Sequence, residues 1–296
     1  MRIVVIGGSG FIGSHLCKHL GLAGHQVTVV RLPYTVERLL HACTAVPIRK
    51  FNTTLDNDQA YAIVNLAGAS LNRGRWSAHD REEILASRVT TAQAIVTAIS
   101  QMPRPPKAYV QASAVGYYGT SPTATFTEDD APGDDFLARV CIAWEAAAQS
   151  ASAYTRVVGV RLGMVLGQDG GALASLLPLF RLGLGGTIGS GVQWISWIHV
   201  ADVSTLIEFC LLDQRIAGPL NATAPHPVQM RDFTRAIARQ LHRPHWFSVP
   251  APVIRLALGQ RAELVLTGQR VLPTKAESVG FSFQFPDLET ALADML

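Results

Sequence analysis

The chain opens on an uninterrupted hydrophobic run, Ile3-Val4-Val5-Ile6, breaks into glycine, and resumes with apolar side chains at Phe11, Ile12, Leu16 and Leu20. The first run has the pattern of a strand buried on both faces, and the second has the spacing of one helix face packed against strands. Gly24 closes that helix, and Gln26-Val27-Thr28-Val29-Val30-Arg31 reads as the next strand. The alternation then continues. Strands are predicted near 46–48, 60–66, 107–111, 156–166 and 219–223, and helices over 35–43, 77–100, 136–151, 173–182, 199–212 and 229–241, with further helices after Pro250 and Pro252. Strands that alternate with helices predict an α/β fold built on a doubly wound parallel sheet. The glycines of 183–191 suit turns between short strands of a smaller C-terminal lobe.

The break after the first strand carries the chemistry. Gly7 lets the chain leave the strand by a tight turn, Gly10 lets helix N-terminal amides approach a pyrophosphate, and Gly13 permits close packing on the sheet. A strand precedes these glycines, a helix follows, and a second strand arrives on schedule, which is the context such a motif requires. Gly7, Gly8, Ser9, Gly10, Phe11, Ile12 and Gly13 are therefore predicted to hold a dinucleotide in a Rossmann-type lobe. The second strand ends in Arg31 with no neighbouring acid. A guanidinium there accommodates a 2'-phosphate, so NADP (NADPH) is favoured over NAD. Ligands of open parallel sheets lie beyond the carboxyl ends of strands, which adds Leu66, Ala67 and Gly68 to the cofactor-binding residues. On the helix over 77–100, Glu83 and Arg88 either point at the cofactor groove or belong to a solvated face.

A length of 296 residues accommodates one large α/β domain or two lobes. The formal charge of +3, without Lys/Arg runs, leaves no nucleic-acid footprint, so a small-molecule partner is expected rather than a polymer. Cys17, Cys43, Cys141 and Cys210 have neither zinc nor redox spacing, which predicts a reducing compartment, no disulfide and no metal. The first strand starts at residue 2 with no apolar leader before it, and no apolar stretch reaches bilayer length; a cytoplasmic protein without a membrane partner is expected.

Four segments together carry a family resemblance: residues 7–13, residues 65–68, Ser113-Ala114-Val115-Gly116-Tyr117-Tyr118-Gly119, and Trp194-Ile195-Ser196-Trp197-Ile198-His199-Val200-Ala201-Asp202. They resemble the extended short-chain dehydrogenase/reductases of the nucleotide-sugar epimerase and dehydratase group. The 113–119 segment, residues 183–197 and Gly268-Gln269-Arg270-Val271-Leu272-Pro273 resemble an atypical epimerase-like subfamily within that group. The resemblance implies a Rossmann-type lobe over 1–166, with 197–223 returning to it, and a substrate lobe over 167–196 and 224–296. It implies that Gly163 and Met164 pass the nicotinamide, and that a homodimer forms through helices 77–100 and 136–151.

The chain departs from that family where its chemistry sits. Typical members carry a catalytic tyrosine, a lysine four residues later and a glutamate four beyond that. Anchored on Glu145, those places hold Leu137 and Cys141. A leucine donates no proton, and a cysteine without a cationic neighbour is only a weak acid. Ser113 matches the family's catalytic serine, and Tyr117 or Tyr118 is available as a replacement acid, with Tyr117 preferred. His199 and Cys141 read as structural, and Trp194 and Trp197 either wall a substrate or belong to the core. Two functions remain open: an NADP(H)-dependent oxidoreductase or epimerase-like enzyme, and an NADPH-binding sensor or regulator, for example of cell division, that works through protein partners.

Overall fold

A computed structural model of the chain describes residues 1–31, 44–47, 61–72 and 74–296, leaving out the side chains of residues 31 and 44–47. The expected helix over 35–43 and the side chain of Arg31 lie outside the described residues. The strands are β1 (Arg2–Ile6), β2 (Gln26–Arg31), β3 (Thr44–Pro47), β4 (Tyr61–Asn65), β5 (Ala108–Ala114), β6 (Thr125–Phe126), β7 (Arg156–Leu162) and β8 (Met164–Gly167). They continue as β9 (Gly186–Ile188), β10 (Trp194–Ile195), β11 (Trp197–His199), β12 (Gly218–Ala222), β13 (Val228–Gln229), β14 (Phe247–Val249) and β15 (Arg270–Val271). The helices are α1 (Phe11–Leu22), α2 (Ala78–Ser100), α3 (Phe136–Gln149), α4 (Gly171–Arg181), α5 (Val200–Leu212), α6 (Met230–Gln240), α7 (Ala251–Leu258), α8 (Glu263–Leu266), α9 (Thr274–Ser278) and α10 (Leu288–Met295).

Seven of the described strands form one parallel sheet in the order β12-β7-β5-β4-β1-β2-β3. The pleat sends successive side chains of β1 to opposite faces. Ile3 and Val5 meet Leu16 and Leu20 of α1 and Val203, Leu206 and Ile207 of α5, while Val4 and Ile6 join Ile95 and Ile99 of α2 and Trp144 of α3. Helices on both faces explain why these strands read as continuous apolar runs. Helix α2 starts where Ser77 and Asp80 form a reciprocal capping box, a device that stabilises a helix by about 1 kcal/mol. A third apolar cluster lies apart from the sheet and joins Leu173, Leu177 and Phe180 of α4, Phe233 and Ile237 of α6, and Leu288 and Leu292 of α10.

Three expectations are corrected. The strand predicted over 156–166 is two strands, because the chain breaks at Gly163, where a side chain would collide with the Ser196 carbonyl and crowd the Thr223 methyl at 3.0 Å. On α1, Gly13, Leu16, Cys17 and Leu20 are buried and Ile12 packs half-buried against the same core, whereas Phe11 leaves that face. Phe11 packs instead on residues 167–171, where a Cβ at Gly167 would stand 2.6 Å from its ring and one at Gly171 3.0 Å. The helix predicted to Ala151 ends at Gln149, with a 3-10 turn over Ser150–Ala153.

Candidate functional site

The sheet order reverses between β1 and β4, and a parallel sheet opens a crevice at such a point. Gly7 leaves β1 at φ +83°, and a Cβ there would sit 2.8 Å from the Leu66 carbonyl carbon, so the two strand ends touch through backbone alone. Gly13 lies so close under the turn that a Cβ would run into the Gly7 carbonyl oxygen. Gly10 is the N-cap of α1; it is exposed, no side chain caps the helix, and its first turn holds no acid. An uncapped helix N-terminus with free amides and a positive dipole end attracts phosphate. Gly8, Ser9, Phe11 and Ile12 complete this turn. The residues present therefore fit a dinucleotide pyrophosphate.

The end of β4 is fixed from behind. The Ala67 amide donates to Asn65 Oδ1 at 3.1 Å, while Asn65 Nδ2 donates to Gln111 at 2.9 Å. Gly68 is exposed, and a Cβ on it would stand 3.0 Å from the Arg88 guanidinium carbon. Arg88 donates to the carbonyls of Ala69 at 3.2 Å and Ile84 at 3.0 Å and lies over Trp144. Burial lowers its pKa from the usual arginine value. The structure thus brings Arg88 to the loop after β4, whereas Glu83 is exposed on α2.

Beyond β5 the chain winds through a 3-10 turn, Val115–Tyr118, which separates the two tyrosines by environment. Tyr118 is buried; its hydroxyl donates to Asn221 Oδ1 at 2.7 Å and accepts from Arg161 at 2.8 Å, and burial pushes its pKa up to about 12. Tyr117 is half-buried, its ring lies 3.4 Å from the Arg161 guanidinium carbon, and its hydroxyl has no hydrogen-bond partner among the described residues.

Ser113 is almost fully buried on β5 and donates to Glu145 Oε1 at 2.6 Å. Arg161, on β7, donates to both oxygens of the same carboxylate at 2.9 Å. Burial presses the Arg161 pKa down, but its hydrogen bonds and charge pairing with Glu145 more than reverse this and hold it above the usual value. Cys141 sits in the same corner on α3, and burial, with the Glu145 charge adding to it, raises its thiol to about 11. At neutral pH it is a protonated, inert group. Leu137, one turn earlier, packs against the apolar cluster of Trp76, Ile84 and Val140, which Phe136 and Leu264 of α8 also cover. Apolar packing stands where the resembled family places its phenol.

Gly163 and Met164 enter β8, which pairs in parallel with β11, and the Met164 amide donates to the Ser196 carbonyl at 2.7 Å. His199 is the N-cap of α5: its Nδ1 accepts from the Ala201 amide at 3.1 Å, its Nε2 lies 3.3 Å from Asp294, and its ring packs on Phe285 at 4.0 Å. Asp202 is fully buried and accepts from the amides of Gln284 at 2.7 Å and Phe285 at 3.0 Å. Trp197 is fully buried core, whereas Trp194 is half-buried.

Sequence reasoning missed Arg161, Glu128 and Asn221. Glu128 stands in an acidic run that reads as solvated, yet it is buried and accepts from the amides of Asn221 at 2.9 Å and Lys275 at 3.2 Å. Arg161 did leave a signal, since a charge inside a strand buried on both faces demands a partner. Among the described residues there is no cluster of side chains able to hold a metal ion, no disulfide, and no helix long and apolar enough to cross a membrane.

Residues 3–221 match the model of the NAD dependent epimerase/dehydratase family, and residues 249–295 match a domain of unknown function, DUF1731. Epimerase family protein YfhF of Bacillus subtilis is 40% identical, over 100% of this chain and 98% of that protein. The chloroplastic homolog of epimerase family protein SDR39U1 in Arabidopsis thaliana is 39% identical over 99% of this chain and 86% of its own length. A crystal structure of human epimerase family protein SDR39U1 (isoform 2) with NADPH superposes with a TM-score of 0.90 at 36% identity, covering 100% of this chain and 99% of that one.

Proposed function

Because the chain belongs to the NAD dependent epimerase/dehydratase family, we propose that it binds NADPH across the ends of β1 and β4 and acts as an epimerase-like oxidoreductase of the short-chain type on a small molecule. The observation that carries this reading is the uncapped N-terminus of α1 over a turn held open by Gly7, Gly10 and Gly13, with Leu66, Ala67 and Gly68 beside it. Similarity along the full length to a protein whose structure is described with NADPH supports the choice of cofactor, as does Arg31 at the end of β2. Arg88 serves the same crevice from α2, with Glu83 five residues before it on the neighbouring face.

Bound NADPH supplies a hydride at its nicotinamide. The chain must then hold or move a proton, and Tyr117 is the group we assign to that task, because Tyr118 and Cys141 are both buried and hold their protons far above neutral pH. The Arg161 guanidinium packs against the Tyr117 ring and holds it in place. Ser113 orients this corner through Glu145, and Gly163 and Met164 are the residues we assign to the nicotinamide side of the crevice. Cys17, Cys141 and Cys210 are buried thiols outside any described disulfide, which suits the cytoplasm. Leu85 on α2 and Ile142 on α3, each 37% exposed, are the contact we assign to a homodimer.

A second reading rests on one observation. The packing of Leu137 against the Trp76, Ile84 and Val140 cluster occupies the usual place of the catalytic phenol, which suits a protein that senses NADPH and signals through partners. The test is NADPH fluorescence on the purified protein, before and after a panel of carbonyl metabolites and nucleotide sugars. Oxidation that Tyr117→Phe abolishes while NADPH still binds supports the enzyme. Tight binding with no turnover supports the sensor, and no binding overturns both.

A further inference from the structure

Arg161 and Arg270 each stand over an aromatic ring, Tyr117 and Trp194, and the two differ in their partners. Arg161, on Tyr117, is saturated by Glu145 and Tyr118. Arg270, on Trp194, has neither an acid within ion-pair reach nor a side-chain hydrogen bond among the described residues, and its Nε is buried without an acceptor.

Arg270 is nonetheless held firmly. Ser196 Oγ donates to the Gln269 carbonyl at 2.8 Å and accepts from the Val271 amide at 2.8 Å, so the backbone on both sides of Arg270 is pinned by one hydroxyl. The strand also pairs with β6, Arg270 opposite Thr125. Val271 is fully buried, and the alternation of a strand turns Arg270 the other way, onto Trp194, with its guanidinium carbon 4.9 Å from the ring centroid. The indole is fixed in turn by its N–H donating to the Pro122 carbonyl at 3.1 Å. The Ser196 carbonyl receives the Met164 amide, which links this shelf to the start of β8.

A guanidinium stacked on a ring keeps its in-plane donors available, and its flat fork matches a planar or tetrahedral oxyanion. Leaving a buried donor without an acceptor is costly, so a pinned, stacked arginine with no partner is organised for a ligand rather than for the fold. We propose that Arg270, on its Trp194 shelf, binds an anionic oxygen group of the substrate, a carboxylate or a phosphate. The proposal rests on the small-molecule reading above and narrows its substrate class to anions.

The test is calorimetric titration of the protein with inorganic phosphate and, separately, with acetate, at low ionic strength, with and without saturating NADPH. Wild type is expected to bind at least one of the two saturably in the NADPH complex. Arg270→Gln is expected to weaken that binding by about tenfold or more, and Arg270→Lys by less, with NADPH affinity unchanged in both. Phosphate alone identifies a phosphate ester as the substrate, and acetate alone a carboxylate. Equal binding by wild type and Arg270→Gln, or binding of neither anion by wild type, overturns the proposal. Anion binding that needs Arg270 in a protein that fails to bind NADPH overturns the cofactor reading and leaves the anion site standing. Arg270→Lys keeps the cation and guards against a variant that merely misfolds.

Discussion

Arg161 grips both oxygens of Glu145 at 2.9 Å, and Ser113 hangs from the same carboxylate at 2.6 Å. The guanidinium is nearly fully buried, so removing its partner strands a charge away from water. Glu145→Ala is expected to lower the unfolding free energy by about 3–5 kcal/mol, read from urea denaturation. A loss below about 1 kcal/mol would mean that solvent already screens the pair.

Gly10 and Gly13 separate binding from folding. A Cβ on Gly13 has only the Gly7 carbonyl to occupy, so Gly13→Ala is expected to cost about 2 kcal/mol or more in stability and to abolish NADPH binding. Gly10 is exposed and its Cβ would stand 3.4 Å from the same oxygen. Gly10→Ala is expected to leave the thermal midpoint almost unchanged while weakening NADPH about tenfold or more, because the methyl fills the approach to the helix amides. Melting curves beside fluorescence titrations distinguish the two.

Arg31 gives a test of cofactor choice. Arg31→Ala is expected to weaken NADPH by about 10- to 100-fold and to leave NADH unaffected, the loss of a charged hydrogen bond to one phosphate. Equal affinity of the wild type for both cofactors would remove the role assigned to this residue.

His199 sets an acid limit. Burial lowers its pKa below the ordinary 6.5, against the pull of Asp294, so the folded protein favours the neutral ring. Its contribution to stability is full above 6.5 and is lost as pH falls through that value toward the folded pKa, because the unfolded chain then binds the extra proton. The thermal midpoint should therefore fall between neutral pH and the folded pKa. His199→Asn, which still offers an N-cap acceptor, should flatten that fall, as melts across the range would record.

The parts of this molecule legible in its sequence are those set by neighbours in the chain. The glycines of residues 7–13 announce their turn because strand, turn and helix follow one another directly, and β1 and β4 carry the apolar runs of strands covered on both faces. Tyr117 and Tyr118 look equivalent in the sequence; Asn221, 103 positions away, selects which one is locked. Glu128 reads as solvated because its partners Asn221 and Lys275 are 93 and 147 positions distant. Gly163 was legible as a glycine but not as a strand break, since the Ser196 carbonyl that forbids a side chain belongs to another segment.

The grip of Asp202 on the amides of Gln284 and Phe285 has a consequence for synthesis. The two family models divide the chain at residues 221 and 249, yet this fully buried carboxylate of the first part finds its donors only 82 and 83 positions downstream. On a ribosome the Rossmann sheet emerges long before those amides do. A nascent chain of 249 residues holds every strand of the seven-stranded sheet and still leaves the Asp202 oxygens in water. Closure of α5 over the sheet is thus timed by the last stretch of translation, so arrest-peptide force measurements along the message should show a final folding step only after residue 285 has left the exit tunnel.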